Sequence, residues 1–253
     1  MFRNSALLKK VVFVCFIAIL TACSTGSSNR SLQGFESREK LYESTKNYSS
    51  LISLYRDILK TKEDPMIRYK LANSYYLSGD SKSSLLYLSP LLNGNSELAQ
   101  KATILQIKNL IQTKEYSQAI SVADAFIKRI PNNGEAYNLR GIALAQVGRL
   151  EDARQNMSQA RELFINDVVA INNIAMLSII NGDYHNATEL LLPQYLKGVK
   201  DQRLIHNLVF ALVKSGDTKY AKDIIMKERL NTSPDALIEA LQKTERVSGG
   251  VRR

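Results

Sequence analysis

The pattern that most constrains this chain is one that returns every 34 residues. Between Gly134 and Asp167 the residues read as a helical hairpin. Tyr137, Gly141 and Leu144 share one face of a first helix, Gly148 breaks it, and Ala153, Met157 and Ala160 share one face of a second. Gly182 and Gly216 follow Gly148 at the same step, as Ala175 and Val209 follow Gly141. Asp183, Tyr184 and Ala187 trail the second glycine, and Asp217, Tyr220 and Ala221 the third. Stepping backwards reaches Lys114, trailed by Glu115, Tyr116 and Ala119 and closed by Pro131. Gly79–Asp80 and Lys46–Asn47 come next, each within one residue of the period. A small residue inside the first helix predicts close helix approach, and glycine after it predicts a tight helix-to-helix turn. Hairpins repeated at a fixed period cannot bury their apolar faces singly, so the chain is constrained to an all-α solenoid that builds its core by stacking neighbours.

The hairpin resembles the tetratricopeptide repeat, which carries an aromatic, a Leu-Gly pair, a Tyr, a second small residue and a closing Pro. Unit 134–167 matches it best, with Ile165 where the Pro is usual and Arg140 where an apolar residue is common. The resemblance spans residues 32–234 as about six hairpins. Helices are predicted over 35–45, 48–61, 65–78, 81–92, 97–113, 116–130, 134–147, 150–164, 168–181, 184–196, 201–215 and 218–230. Asn93-Gly94-Asn95-Ser96 adds a turn between units, and Pro193 is expected to kink or end its helix, with termination before Lys197-Gly198. Ser233-Pro234-Asp235 opens a final helix, Ser233 as its cap, in which Ala236, Leu237, Ala240 and Leu241 are expected to cover the last repeat.

At the start of the chain, Arg3, Lys9 and Lys10 precede an apolar run, Val11 to Leu20, and small residues lead to Cys23. This describes a secretory leader over 1–22, too short to read first as a spanning helix. Leu20-Thr21-Ala22-Cys23 resembles a bacterial lipobox, which implies lipidation of Cys23, and Ser24 after it resembles the outer-membrane sorting signal. The expected organisation is a leader over 1–22, a lipidated flexible linker over 23–34, a solenoid over 35–246 and a flexible tail over 247–253. Three acyl chains, at about 0.8 kcal/mol per buried methylene, would tether the chain permanently to the periplasmic face of the outer membrane. Of the two cysteines, Cys15 lies in the apolar run, so the mature chain would hold Cys23 alone and no internal disulfide.

The formal charge of +10 falls by three when the leader is removed, because Arg3, Lys9 and Lys10 leave with no acid. A basic balance suits nucleic acid, anionic headgroups or acidic partners, and export argues against the first. His185 and His206 are the only histidines, and neither sits in a metal-ligand or nucleophile–base pattern. No phosphate loop or paired-carboxylate pattern is present, which argues against an enzyme, and no cofactor or small-molecule substrate is implied. What remains is a binding surface. Carrying the inward-facing positions of the family onto this chain points to Tyr69, Asn73 and Tyr76, Ile104 and Lys108, Asn138 and Ile142, Asn172 and Met176, and His206 and Phe210 as a concave, partner-binding face. Ile111, Ala145, Ile179 and Val213 extend it. Amides there suit a peptide backbone, and apolar groups suit its side chains.

An exported lipoprotein built almost wholly of such repeats resembles the TadD family of tight-adherence (Flp) pilus systems. It also resembles the pilotin lipoproteins of type IV pili. Either resemblance implies an outer-membrane factor that binds a secretin subunit and promotes its assembly; a general envelope scaffold is the alternative.

Overall fold

The computed structural model describes residues 25–244. The expected leader, the lipidation site Cys23, the last two residues of the expected solenoid and the expected tail over 247–253 lie outside the described residues. Among the described residues there are thirteen α-helices and no strand. They are α1 Thr25–Ser44, α2 Tyr48–Thr61, α3 Pro65–Leu77, α4 Ser81–Leu88, α5 Glu97–Gln112, α6 Tyr116–Arg129, α7 Gly134–Gln146, α8 Leu150–Glu162, α9 Asp167–Asn181, α10 Tyr184–Leu196, α11 Gln202–Ser215, α12 Thr218–Lys227 and α13 Pro234–Lys243. Successive helices pair into hairpins, as the period requires. Chain contacts divide this series into two compact units, Met1–Leu91 and Leu92–Arg253, and the division falls just ahead of the Asn93–Ser96 turn.

Six hairpin turns share one construction. Lys46, Gly79, Lys114, Gly148, Gly182 and Gly216 all have positive φ, from 52° to 94°. In each, two backbone N–H groups fold back on the carbonyls of the last helical turn; at Gly148, its own N–H donates to Ala145 and that of Arg149 to Leu144. The next residue then opens the second helix. Asn47, Asp80, Asp183 and Asp217 each accept the N–H of the residue three positions on, at 3.0–3.2 Å, whereas Glu115 and Arg149 make no such bond.

Close approach follows from the small positions. Ala119, Ala153, Ala187 and Ala221, one per second helix of the second unit, are fully buried. A methyl group added at Gly141 would lie 2.9 Å from Cγ of Met157 and 3.1 Å from the Ala153 carbonyl, so α7 and α8 meet there with no room for a side chain. In the first unit Leu51, Tyr55 and Leu71 form the core, with Phe35, Ile67 and Tyr75 packed on them. In the second, Phe126, Ile107 and Leu110 centre one cluster, Leu144 and Met157 a second, and Leu191, Leu204, Leu208 and Ile224 a third.

Several details depart from expectation. Most of the segment read as a flexible linker over 23–34 is helical, since α1 starts at Thr25 rather than 35. No Pro interrupts it, although its Ser, Asn and Gly residues are poor helix formers, which is why composition reads it as linker. Helix α4 stops at Leu88 instead of 92 and passes into a single 3-10 turn over Ser89–Leu91, where Pro90 has no N–H to continue the ladder. Helix α12 ends at Lys227 because Arg229, at φ 54°, takes the left-handed cap. Pro193 does not end α10 at its own position; the helix runs through it to Leu196 and stops before Lys197 and Gly198, where its end is expected. Pro193 faces solvent, where the carbonyl it leaves unbonded can be hydrated. At the C-terminal end Ser233 makes no side-chain cap bond. Ile238, rather than Ala236 or Ala240, is the buried residue of α13, flanked by the partly buried Leu237 and Leu241.

Candidate functional site

The first helices of the second unit, α5, α7, α9 and α11, bring together one residue per repeat at the 34-residue step: Lys108, Ile142, Met176 and Phe210. All four are accessible. Met176 is 38% exposed, and the other three are half-buried. The ring of Phe210 meets that of Tyr184 edge-on at 6.1 Å between centroids, and the Lys214 ammonium lies 6.0 Å from the Phe210 centroid. Lys108 pairs with Glu135 of the next repeat at 2.6 Å. The row is therefore apolar over three repeats and carries a paired cation at its N-terminal end.

Beside it runs an amide ladder. Asn173 Nδ2 donates to Asn138 Oδ1 at 2.7 Å, and Asn207 Nδ2 donates to Asn172 Oδ1 at 2.9 Å, each bond crossing from one repeat to the next. Asn138 and Asn172 are 8% and 7% exposed, so they face the neighbouring helix rather than an open groove. Ile104 is likewise buried and belongs to the core with Ile107 and Leu110. His206, the next residue of the Asn138–Asn172 series, is exposed and completes no third rung. Of the residues expected on the binding face in this unit, Lys108, Ile142, Met176, His206 and Phe210 reach solvent, as do Ile111, Ala145 and Ile179 in part, and Ile104, Asn138, Asn172 and Val213 do not. In the first unit Tyr69, Asn73 and Tyr76 lie half-buried on α3.

Sequence reasoning misses Asn173, Asn207 and Tyr184. The signal is present: Asn173 and Asn207 are one period apart, each adjacent to a residue of the expected face. A donor–acceptor pair crossing repeats at a step of 35 is invisible to a search at 34. Arg140 departs from the repeat pattern, and the structure gives the reason. It donates to Asp124 of α6 and, at 3.0 Å, to Asn156 Oδ1 of α8, tying three helices together.

Two Tyr–Glu–Lys braces lie outside this strip, one in each unit. Tyr55 and Lys70 both donate to Glu39 Oε1, each at 2.8 Å. Tyr195 donates at 2.8 Å to Glu228 Oε1, which Lys200 also contacts. Burial, then the bond to Glu228, pushes the Tyr195 hydroxyl up to about 12. Lys200, then Tyr195, holds the Glu228 carboxyl below its ordinary range. Burial and Glu39 raise Tyr55 further. These shifts stabilise the hydrogen-bonded forms and poise no group for proton transfer near neutral pH. Both histidines are exposed, His185 beside Glu189 at 3.2 Å. Among the described residues no group of three or more His, Cys, Asp or Glu could hold a metal, and no helix is long and apolar enough to cross a membrane.

No protein-family profile and no curated protein sequence matches the chain. Solved structures do. TTC0263, a thermophilic tetratricopeptide-repeat protein of Thermus thermophilus, superposes with a TM-score of 0.61 at 18% identity, covering 72% of this chain and 98% of its own. A tetratricopeptide-repeat protein of Parabacteroides merdae gives 0.61 at 16% identity over 83% of this chain and 84% of its own. A chain of the APC/C hetero-tetramer Cut9–Hcn1 gives 0.62 at 17% identity over 79% of this chain and 40% of its own. The fold is thus the tetratricopeptide-repeat solenoid; at such identities the likeness speaks to fold alone.

Proposed function

We propose that this tetratricopeptide-repeat chain is a non-catalytic, lipid-tethered assembly factor that holds a segment of a secretin subunit at the periplasmic face of the outer membrane, in the manner of the TadD family of Flp pilus systems. The observation that carries the protein-binding part is the row Ile142, Met176 and Phe210: three accessible apolar side chains at one-repeat spacing. Such a row fits the anchors of an apolar helix or extended peptide, and the neighbouring amide groups of Asn173 and Asn207 suit its polar edge. The lipobox ending in Cys23 supports the tether, and the tether supports the choice of an outer-membrane partner.

The row also decides which variant tests the reading. Replacing Asn172 would strip a buried amide of its partner and destabilise the repeat, so loss of binding by that variant would be ambiguous. Met176→Ala with Phe210→Ala removes exposed and half-buried apolar groups instead. Capture of the secretin segment should weaken about ten- to hundredfold, the range for losing one or two anchors of roughly 1–3 kcal/mol in total, with helicity unchanged. Undiminished capture would move the site elsewhere. Cys23→Ala should release a folded chain from the outer-membrane fraction; retention there would remove the tether from the account.

A further inference from the structure

The second unit carries a feature that neither the repeat nor its peptide-binding row requires. All its second helices end at the same edge, because successive hairpins run in the same sense. Three large apolar side chains project there: Phe164 just past α8 is 95% exposed, Leu196 at the end of α10 is 67% exposed, and Met226 near the end of α12 is 59% exposed. Phe164 also sits in the left-handed region, at φ 60°, a conformation that bulky residues rarely hold. One period later the same turn position is Gly198, at φ 88°, which adopts it without strain. An aromatic that gains no burial in a position better suited to glycine contributes nothing to folding that would explain it. The turn accounts for the left-handed backbone, with the Phe164 N–H donating to Arg161 as at the other caps, but not for an exposed aromatic ring in that place, and strained positions cluster at functional sites.

The charges beside these tips identify that contact. Lys197 follows Leu196, Lys227 follows Met226, and Arg229 is the left-handed cap of the next turn. None of the three forms a direct ion pair among the described residues; Lys227 lies over the Tyr195 ring at 5.5 Å and its charge also acts on the neighbouring Glu228. The nearby acids are mostly engaged, Asp167 with Arg161 at 2.6 Å and Glu228 with Lys200; Glu162 is the one beside Phe164 that is not. Exposed apolar tips interleaved with cations that form no direct ion pair match the interfacial layer of an anionic bilayer, where rings and thioethers enter the acyl boundary and cations meet phosphates. We infer that this edge of the second unit docks on an anionic phospholipid surface, with Phe164 as its principal insertion point. A docked edge would also fix which way the first-helix row faces.

The chain contains no tryptophan, so a single one introduced at Phe164 reports its own environment. The full chain bearing Phe164→Trp should show a blue-shifted emission with vesicles of phosphatidylglycerol and phosphatidylcholine. It should show no shift with phosphatidylcholine alone and should lose the shift in Lys227→Glu/Arg229→Glu. Val147→Trp, at the opposite edge, should not shift even if another part of the chain carries it to the vesicle. Phe164→Gly should bind anionic vesicles less tightly while melting at the same or a higher temperature. An unshifted Phe164→Trp in chain that sediments with anionic vesicles would overturn the inference. So would an equal shift at Val147→Trp, a shift that appears without lipid and grows with protein concentration, marking a second copy as the occupant, or a Phe164→Gly chain that melts lower.

Discussion

Single residues decide the turns of this solenoid, and they decide them by backbone conformation. The positions of Gly79, Gly148, Gly182 and Gly216 are legible in the sequence because only glycine takes φ near 80–90° without cost, and its recurrence marks the turn. Lys46 and Lys114 are legible only through the period, since nothing in a lysine announces a left-handed conformation; both adopt it, at φ 52° and 64°. The surrounding helices hold them there against their own preference. Lys114→Gly should therefore stabilise the chain by about 0.5–1 kcal/mol, the left-handed penalty of a side chain less the greater chain entropy of glycine. Equilibrium urea unfolding would measure it, and an unchanged or lowered midpoint would mean that contacts of the Lys114 side chain offset the penalty. Phe164 and Arg229 are not legible at all: helical spacing continues through both, so sequence reasoning places them inside their helices.

At the scale of the helix, pairing is readable from small residues and misread wherever polar groups set the contact. Ala119, Ala153, Ala187 and Ala221 mark the buried face of each second helix in the second unit, and those positions are closed as expected. Asn138 and Asn172 read as groove-facing because amides at such positions commonly bind peptide, yet each accepts a bond from the neighbouring first helix. One-dimensional spacing cannot separate an amide that serves a ligand from one that serves the next repeat. The Tyr195–Glu228–Lys200 brace, which joins α10, the segment before α11 and the end of α12, escapes for the same reason. It carries a pH signature. The Tyr195 hydroxyl moves from 10.0 in the unfolded chain up to about 12 in the folded one, so its contribution is complete below pH 10 and is lost as pH rises through 12. Glu228 moves the other way, so its contribution is present above 4.5 and is lost as pH falls through its lower folded value. Stability followed by circular dichroism should thus decline at both ends, and Tyr195→Phe should flatten the alkaline decline and lessen the acid one, where Lys200 still holds Glu228. An alkaline slope unaltered by that substitution would place its origin in other groups.

Across the whole molecule, a repeat architecture distributes stability by neighbourhood, so a defect is felt mainly in the hairpin that contains it and those beside it. Leu191→Ala, in the cluster with Leu204 and Leu208, should cost about 2–5 kcal/mol and raise amide exchange in α9 to α12 while leaving α2 and α3 protected. Uniform loss of protection along the chain would instead indicate a single cooperative body. The overall architecture is readable because a 34-residue period leaves a chain few other ways to bury its apolar residues. The function is less directly written, since the same hairpins serve any peptide-sized partner and the choice rests on which side chains the stacking leaves open. The most direct test is a photo-crosslinking residue placed at Met176 of the lipidated chain in living cells, with a second chain carrying it at His185, which is exposed on a second helix. A covalent adduct with a secretin subunit from position 176, absent from position 185, is the predicted result. Adducts that are equal from both positions, or a secretin present in the membrane but never captured from position 176, would contradict the assignment of the first-helix row as the binding surface.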